Sequence, residues 1–350
     1  MEDRVNSRII KIENIPTNSK KTISRPILCD VNLNLKDIQE ADVDSLSNAV
    51  HRSTEQSENA ESTENQSNKE ISRTAANKTA GDIYYSTTFI TDVSSLDNYW
   101  VEMDNQSNVK IDEKLSNSYR RATIVELSFD FPFYGYLIKN ITISTGGFIF
   151  TGNFIHRWLA ATQYIAPLMA NFDTRLSNNS YIKYVDNGTT FTVEWENVLL
   201  QDEPKDGEFT FQTTLLKNGD IIFAYKAIPL IIKSINDALH PVKVGVSDAY
   251  VINGSVFYMK KKTIHEYHRV NLKQEDIKNS TVIYLKALPT CLDSKDCDTC
   301  LTQVIPNLEC AWCPSMNLCS NGRDRHRQDW LTMKCDTEKL VDEGQCSKNE

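Results

Sequence analysis

The sequence has no long apolar run. In 350 residues no stretch reaches the roughly 18 to 20 uninterrupted apolar residues that a membrane-spanning helix needs. The best candidate, residues 221–232, is interrupted by Lys226 and Pro229. We therefore interpret it as part of a soluble fold. The first 20 residues also contain no apolar core of the kind that a signal peptide requires.

The motifs of several large enzyme classes are also missing. There is no G-x-S-x-G, no P-loop and no GxGxxG. The sequence His265-Glu266-Tyr267-His268 does not match a metalloprotease helix, because its histidines are three residues apart rather than four and lie in a strand-like stretch. The net charge of −9 gives no general attraction to nucleic acid or acidic membranes. We expect no catalytic residue, no metal and no cofactor.

Cysteine is almost absent from the first 290 residues, where only Cys29 occurs. The other eight of the nine cysteines lie in the last 60 residues, which predicts a disulfide-bonded module from an oxidising compartment. Two C-x2-C pairs also match a zinc site, but one zinc ion leaves four cysteines unexplained. These eight are Cys291, Cys297, Cys300, Cys310, Cys313, Cys319, Cys335 and Cys346.

An oxidising compartment conflicts with the missing signal peptide. Either the start belongs to an incomplete or alternative gene model, or the cysteines are reduced and bind metal. Eight N-x-S/T sequons favour the first explanation, because they are acceptors of N-linked glycans in secreted proteins. We therefore expect an extracellular or cell-surface protein. The candidate glycosylation sites are Asn65, Asn77, Asn105, Asn140, Asn178, Asn187, Asn253 and Asn279.

Three regions differ in composition. Residues 1–80 are rich in Ser, Asn and Glu and poor in aromatic residues, which predicts disorder. Residues 82–288 alternate apolar and polar side chains, and hairpins are expected at Asn187-Gly188 and Asn218-Gly219. We predict a mainly β fold, an antiparallel sandwich or barrel-like domain, over this region. Residues 290–347 form the small disulfide-rich module.

One segment of that module combines both charge signs with an aromatic residue. Local ion pairs on a surface helix or loop are one interpretation of this segment. The other is a contact patch for a partner, since interfaces favour Arg and Trp. The candidate contact residues are Arg323, Arg325, His326, Arg327 and Trp330.

Several motifs carry a family resemblance. The cysteine run with C-A-W-C at its middle looks like a PSI (plexin–semaphorin–integrin) module. The β region and the module together resemble the plexin domain-containing proteins (the tumour endothelial marker group), and the β region is more distantly similar to the nidogen-type domain. The matching motifs are FDFPFYG at 129–135, TGGFIFTG at 145–152, ATQYIAPLMANFD at 161–173, HPVKVGVSDA at 240–249, IHEYHRV at 264–270 and DRHRQDW at 324–330.

The resemblance implies more than the residues show. It implies the disulfides Cys291–Cys310, Cys297–Cys346, Cys300–Cys319 and Cys313–Cys335. It also implies a glycosylated type I membrane receptor or adhesion protein, with a signal peptide and a membrane anchor that this sequence does not contain. The expected ligand is a secreted or matrix protein, such as a serpin resembling pigment epithelium-derived factor, or nidogen. The alternatives are an extracellular metal-dependent hydrolase and an intracellular zinc-binding protein.

Overall fold

The computed structural model describes residues 9–11, 83–104, 107–152, 160–256 and 259–346. Residues 83–288, the β domain, contain two antiparallel sheets, and residues 289–346 form the cysteine-rich module. The prediction of a mainly β fold with antiparallel sheets and a disulfide-rich C-terminus is confirmed.

Sheet I has seven strands in the described residues, in the order β1-β14-β13-β7-β6-β5-β4. The first of these is a three-residue strand from the segment that the sequence predicts to be disordered; it pairs with the edge of β14, and the rest of residues 1–80 lies outside the described ranges. The strands are β1 (Ile9–Lys11), β4 (Ala122–Phe133), β5 (Tyr136–Ser144), β6 (Phe148–Phe150), β7 (Tyr164–Met169), β13 (Lys243–Val256) and β14 (Met259–Asn271).

Sheet II has the order β2-β15-β12-β11-β10-β9-β3 in the described residues, and β8 pairs with the end of β10. Its strands are β2 (Tyr85–Ile90), β3 (Lys110–Ile111), β8 (Phe172–Asp173), β9 (Tyr181–Asp186), β10 (Thr190–Leu200), β11 (Phe209–Leu216), β12 (Ile221–Ala227) and β15 (Val282–Ala287). A short helix, α1 (Leu96–Tyr99), precedes β3.

The core of the β domain lies between the inner faces of the two sheets. Alternation directs the residues Phe191, Val193 and Trp195 of β10 inward, where each is fully buried. Trp195 Nε1 donates to the carbonyl of Ser144 at 2.8 Å, so a side chain of sheet II bonds to the backbone of sheet I. Tyr225 Oη likewise donates to the carbonyl of Pro167 at 2.6 Å. These contacts satisfy the polar ends of buried aromatics and fix the two sheets face to face.

Both predicted hairpins are present. β9 pairs with β10 across Asn187-Gly188, and β11 pairs with β12 across Asn218-Gly219. Gly188 and Gly219 both have positive φ, which Asn-Gly turns supply at little steric cost.

The cysteine-rich module is held together by four bridges around small apolar clusters. It contains α2 (Cys297–Thr302), α3 (Arg327–Thr332), α4 (Cys335–Glu338) and a hairpin of β16 (Ala311–Cys313) with β17 (Leu318–Ser320). Trp312 and Trp330 are buried among the half-cystines. The bridges join Cys291–Cys310, Cys297–Cys346, Cys300–Cys319 and Cys313–Cys335, which are the pairs that the resemblance implies.

Candidate functional site

The β domain and the module meet at a buried ion pair. Arg325 Nε donates to Asp248 Oδ2 at 2.7 Å, and the two side chains are 6% and 0% exposed. The other guanidinium nitrogens donate to the carbonyl and to Oγ1 of Thr151, at 2.7 and 2.8 Å. Burial acts to lower the pKa of Arg325, but Asp248 more than offsets this and the net direction is upward. The arginine therefore stays charged inside the protein.

Aromatic rings enclose this ion pair. The guanidinium lies 5.6 Å from the ring centroid of Phe133 and 5.2 Å from that of Tyr136. Tyr267 Oη donates to the same Asp248 oxygen that binds Arg325. The rings exclude water, so the charge pair and its hydrogen bonds act at low local dielectric and are strong. Asp248 Oδ1 is buried and has no hydrogen-bond partner within the described ranges.

The loop that carries Arg325 is fixed from within the module. Asp324 is buried and its carboxylate accepts from Ser320 Oγ at 2.7 Å and from the backbone N–H of His326 at 2.8 Å. Arg327 binds both carboxylate oxygens of Asp336, at 2.9 and 3.0 Å. Trp330 Nε1 donates to that carboxylate at 3.1 Å. The segment thus holds Arg325 in a fixed direction toward the β domain.

Other contacts also cross the junction. The ring of His326 lies 5.1 Å from that of Tyr136, and Gln328 Oε1 accepts from the backbone N–H of Asn253 at 2.7 Å. Arg325 and Trp330 are buried, so they are not available to an external partner. Of the other residues in the predicted contact patch, His326 packs on Tyr136 of the β domain, Arg327 pairs with Asp336 within the module, and Arg323 is exposed.

The His-Glu-Tyr-His sequence lies in strand β14, as the sequence predicts. A bulge opposite Asp248 and Ala249 adds one residue to this strand and turns Tyr267 toward Asp248. His268 packs into a tyrosine cluster, which we define as Tyr84, Tyr134 and Tyr267. Its Nδ1 atom lies 3.3 Å from Tyr134 Oη. Burial lowers the pKa of His268 to about 4, so it is neutral at physiological pH. Its ring packs against the rings of Tyr84 and Tyr134.

A groove of about 430 Å³ opens where the edges of the two sheets face each other, between β3 and β9 of sheet II and β4 and β5 of sheet I. Ser128 N and Oγ donate to the carboxylate of Asp186, and these two lining residues connect sheet I to sheet II. The rings of Tyr184 and Phe191, with centroids 5.7 Å apart, form its apolar wall. The charged residues that line it are Lys110, Glu126, Lys139 and Asp186. The site combines an apolar wall with charges of both signs, as ligand sites commonly do.

Five candidate glycosylation sites fall in the described ranges, and all five are exposed: Asn140, Asn178, Asn187, Asn253 and Asn279. Two of them flank the groove. Asn140 lies opposite Glu126 in the strand register, and Asn187 adjoins Gly188. Asn65, Asn77 and Asn105 lie outside the described residues.

Across residues 83–346, apart from the short gaps given above, no three His, Cys, Asp or Glu side chains are grouped as metal ligands would be. Over the same ranges, no helix is both long and apolar enough to cross a bilayer.

The fold and the junction define a mainly β domain bonded to a disulfide-braced module, a class of protein found outside cells. The chain belongs to the NIDO-related family, since the sequence model of that family matches residues 93–284. No solved structure matches the chain. The matched region covers most of both sheets, and the disulfides follow it, so the prediction of a nidogen-like domain is confirmed. The NIDO-related match and the four disulfides together indicate an extracellular location.

Proposed function

We propose that the chain is the extracellular part of a plexin domain-containing cell-surface receptor or adhesion protein, which binds a secreted or matrix protein and catalyses no reaction. The NIDO-related match and the four bridges support the extracellular part of this proposal. The motif resemblance supports the plexin domain-containing assignment and the PSI nature of the module.

The observation that carries the proposal is the fixed junction. Arg325, His326 and Gln328 all contact the β domain, so the module holds that domain in one orientation. Such a role matches PSI modules, which orient a neighbouring domain and leave ligand binding to it. The β domain then supplies the ligand surface, and its groove of about 430 Å³ is a concave site that such a ligand could enter.

Ligand binding tests the proposal. The full chain is expressed with an added secretion signal, and its binding to nidogen and to a pigment epithelium-derived factor-like serpin is measured by biolayer interferometry. We expect Lys110→Glu and Lys139→Glu on the groove to weaken binding about tenfold or more, since charged groups at an interface set its complementarity. Arg323→Glu, on the exposed module surface, is the control and leaves binding unchanged.

Thermal melting of the groove variants checks that they remain folded. Binding to neither protein, or binding that only Arg323→Glu weakens, would refute the assignment of the ligand surface to the β domain.

Glycosylation tests the compartment separately. Glycans are expected at the exposed sequons of the secreted chain, and peptide-N-glycosidase treatment then lowers its mass. A secreted chain whose mass is unchanged by the enzyme contradicts the glycoprotein part of the proposal.

A further inference from the structure

The outer face of sheet II is covered by a strap, which we define as residues 91–104 and which includes α1. Leu96, Tyr99 and Trp100 of the strap pack against a small apolar patch of the sheet. That patch consists of Ile222, Ala224 and Val282. The strap thus covers apolar surface that would otherwise face solvent.

A glutamine side chain fastens the strap to the sheet. Gln212 Oε1 accepts from the backbone N–H of Val101 at 3.0 Å, and Gln212 Nε2 donates to the carbonyl of Val101 at 2.8 Å. Gln212 Nε2 also donates to Glu194 Oε2, and these two atoms are 2.9 Å apart. The Gln212 amide can make these three hydrogen bonds in only one orientation. The carboxyl group of Glu194 therefore helps to fix the amide orientation that binds the strap.

Glu194 is only 5% exposed, and charges surround it. Lys183 on β9 donates to Asp104 of the strap at 3.0 Å and to Glu196 at 2.8 Å, so its ammonium group is shared between two other carboxylates. Lys226 on β12 lies over the ring of Trp100, 5.2 Å from its centroid. Acidic groups therefore outnumber the two lysines around this site.

The protonation state of Glu194 follows from this setting. Burial raises the pKa of Glu194 to about 7, and Glu196 acts in the same direction. The hydrogen bond from Gln212 and the charges of Lys183 and Lys226 act in the opposite direction but do not cancel the effect of burial. An ionised Glu194 is thus a poorly compensated charge beneath the strap.

We propose that the strap is a pH-sensitive latch. Protonated Glu194 holds the strap closed against the sheet, and ionised Glu194 weakens this closed state. The protonated carboxyl group still accepts from Gln212 through its carbonyl oxygen, so the fastening contact is retained. When the strap lifts, Glu194 meets water and its pKa returns toward the ordinary value of about 4.5. The closed strap therefore binds the proton more tightly, and acidification through pH 7 favours closure.

Hydrogen exchange of the full, secreted chain tests the latch. The probe is the backbone amide of Val101, which donates to Gln212 Oε1 at 3.0 Å and so joins the strap to the sheet. After correction for the intrinsic pH dependence of exchange, we expect the opening equilibrium in the wild type to increase on the order of tenfold between pH 5.5 and pH 7.5. Peptides from β5 and β6 report whether the rest of the domain stays folded.

An isosteric variant isolates the titrating group. Glu194→Gln keeps an acceptor for Gln212 but cannot ionise, so we expect the strap to be protected equally at both pH values. Glu113→Gln, at an exposed carboxylate, is the matched control and retains the wild-type response. Equal protection of the wild-type strap at both pH values overturns the proposal, and so does a pH response that persists in Glu194→Gln.

Discussion

Arg325 of the module and Asp248 of β13 form an ion pair across 77 positions of sequence, with Nε and Oδ2 2.7 Å apart and both side chains buried. Two charges removed from water are retained only where each compensates the other. Since the other two guanidinium nitrogens of Arg325 bind Thr151, all three of its nitrogens donate to the β domain. The two regions thus depend on each other for stability.

Removing the cation leaves Asp248 buried and uncompensated. We expect Arg325→Met to lower the free energy of unfolding by about 3 to 5 kcal/mol, measured by urea denaturation. Arg323→Met, at an exposed position of the same loop, is the matched control and changes stability by less than about 0.5 kcal/mol. The double variant Arg325→Met with Asp248→Asn recovers part of the loss, because no charge remains buried. A loss for Arg325→Met no larger than that of the control contradicts the role given to the pair.

A glycine at the same junction allows close approach. Gly135 has φ +79°, and a Cβ there would lie 2.3 Å from Thr290 Oγ1. We expect Gly135→Ala to cost more than the roughly 1 to 2 kcal/mol of left-handed backbone strain alone, because the methyl group also clashes with Thr290.

Gly188 provides the comparison, since its φ is +90° and a Cβ would meet nothing within 4 Å. Gly188→Ala therefore reports the backbone strain by itself, and thermal denaturation measures the stability of both glycine variants. Adding Thr290→Ala to Gly135→Ala removes the Oγ1 atom and restores part of the stability. If the two single glycine variants are equally stable, steric contact with Thr290 plays no part.

Local features of the sequence were sufficient to predict the hairpins. The Asn187-Gly188 and Asn218-Gly219 pairs combine a turn that accepts positive φ with alternating strands on both sides, and every part of that signal lies within about 15 residues. The disulfide pairs were accessible only through the family resemblance, because eight cysteines allow 105 pairings.

The junction and the strap could not be predicted in the same way. Asp248 and Arg325 meet across 77 positions of sequence because the module packs against β13, and no local pattern encodes that contact. One signal was present: Asp248 follows Val244 and Val246 at inward-facing positions of β13, where a carboxylate needs a cation or hydrogen-bond partner. That pattern reveals the need for a partner but not its identity. Since the sequence does not identify that partner, it also gives no sign that Arg325 points into the chain.

We expect each disulfide of the module to stabilise the folded state according to the length of the loop that it closes. Cys297–Cys346 spans 49 residues and Cys291–Cys310 spans 19. The chain-entropy relation gives about 4 kcal/mol for the longer loop and about 3 kcal/mol for the shorter one. We expect Cys297→Ser/Cys346→Ser to be the more destabilised of the two double variants in guanidinium denaturation. The reverse order means that packing around Cys291 and Trp312, rather than chain entropy, dominates the stability of the module.

The stability of the β domain is expected to depend on pH through His268. Its pKa in the folded protein is about 4, below the ordinary value of about 6.5, so the unfolded chain takes up a proton first as the pH falls. The contribution of His268 is therefore complete above about pH 6.5 and is lost progressively toward pH 4, by on the order of 3 kcal/mol.

His268→Phe keeps a ring in the tyrosine cluster and removes the titration, so the stability difference between wild type and variant should change over this pH window. Urea denaturation between pH 4 and pH 8 measures that difference. His265→Phe serves as the control, since His265 stacks on Tyr250 outside the cluster and reports the general effect of replacing a histidine on this strand. A wild-type to His268→Phe difference that stays constant from pH 8 to pH 4 means that His268 is protonated equally easily in the folded and unfolded states. The neutral, buried imidazole would then not be part of the packing below Tyr134.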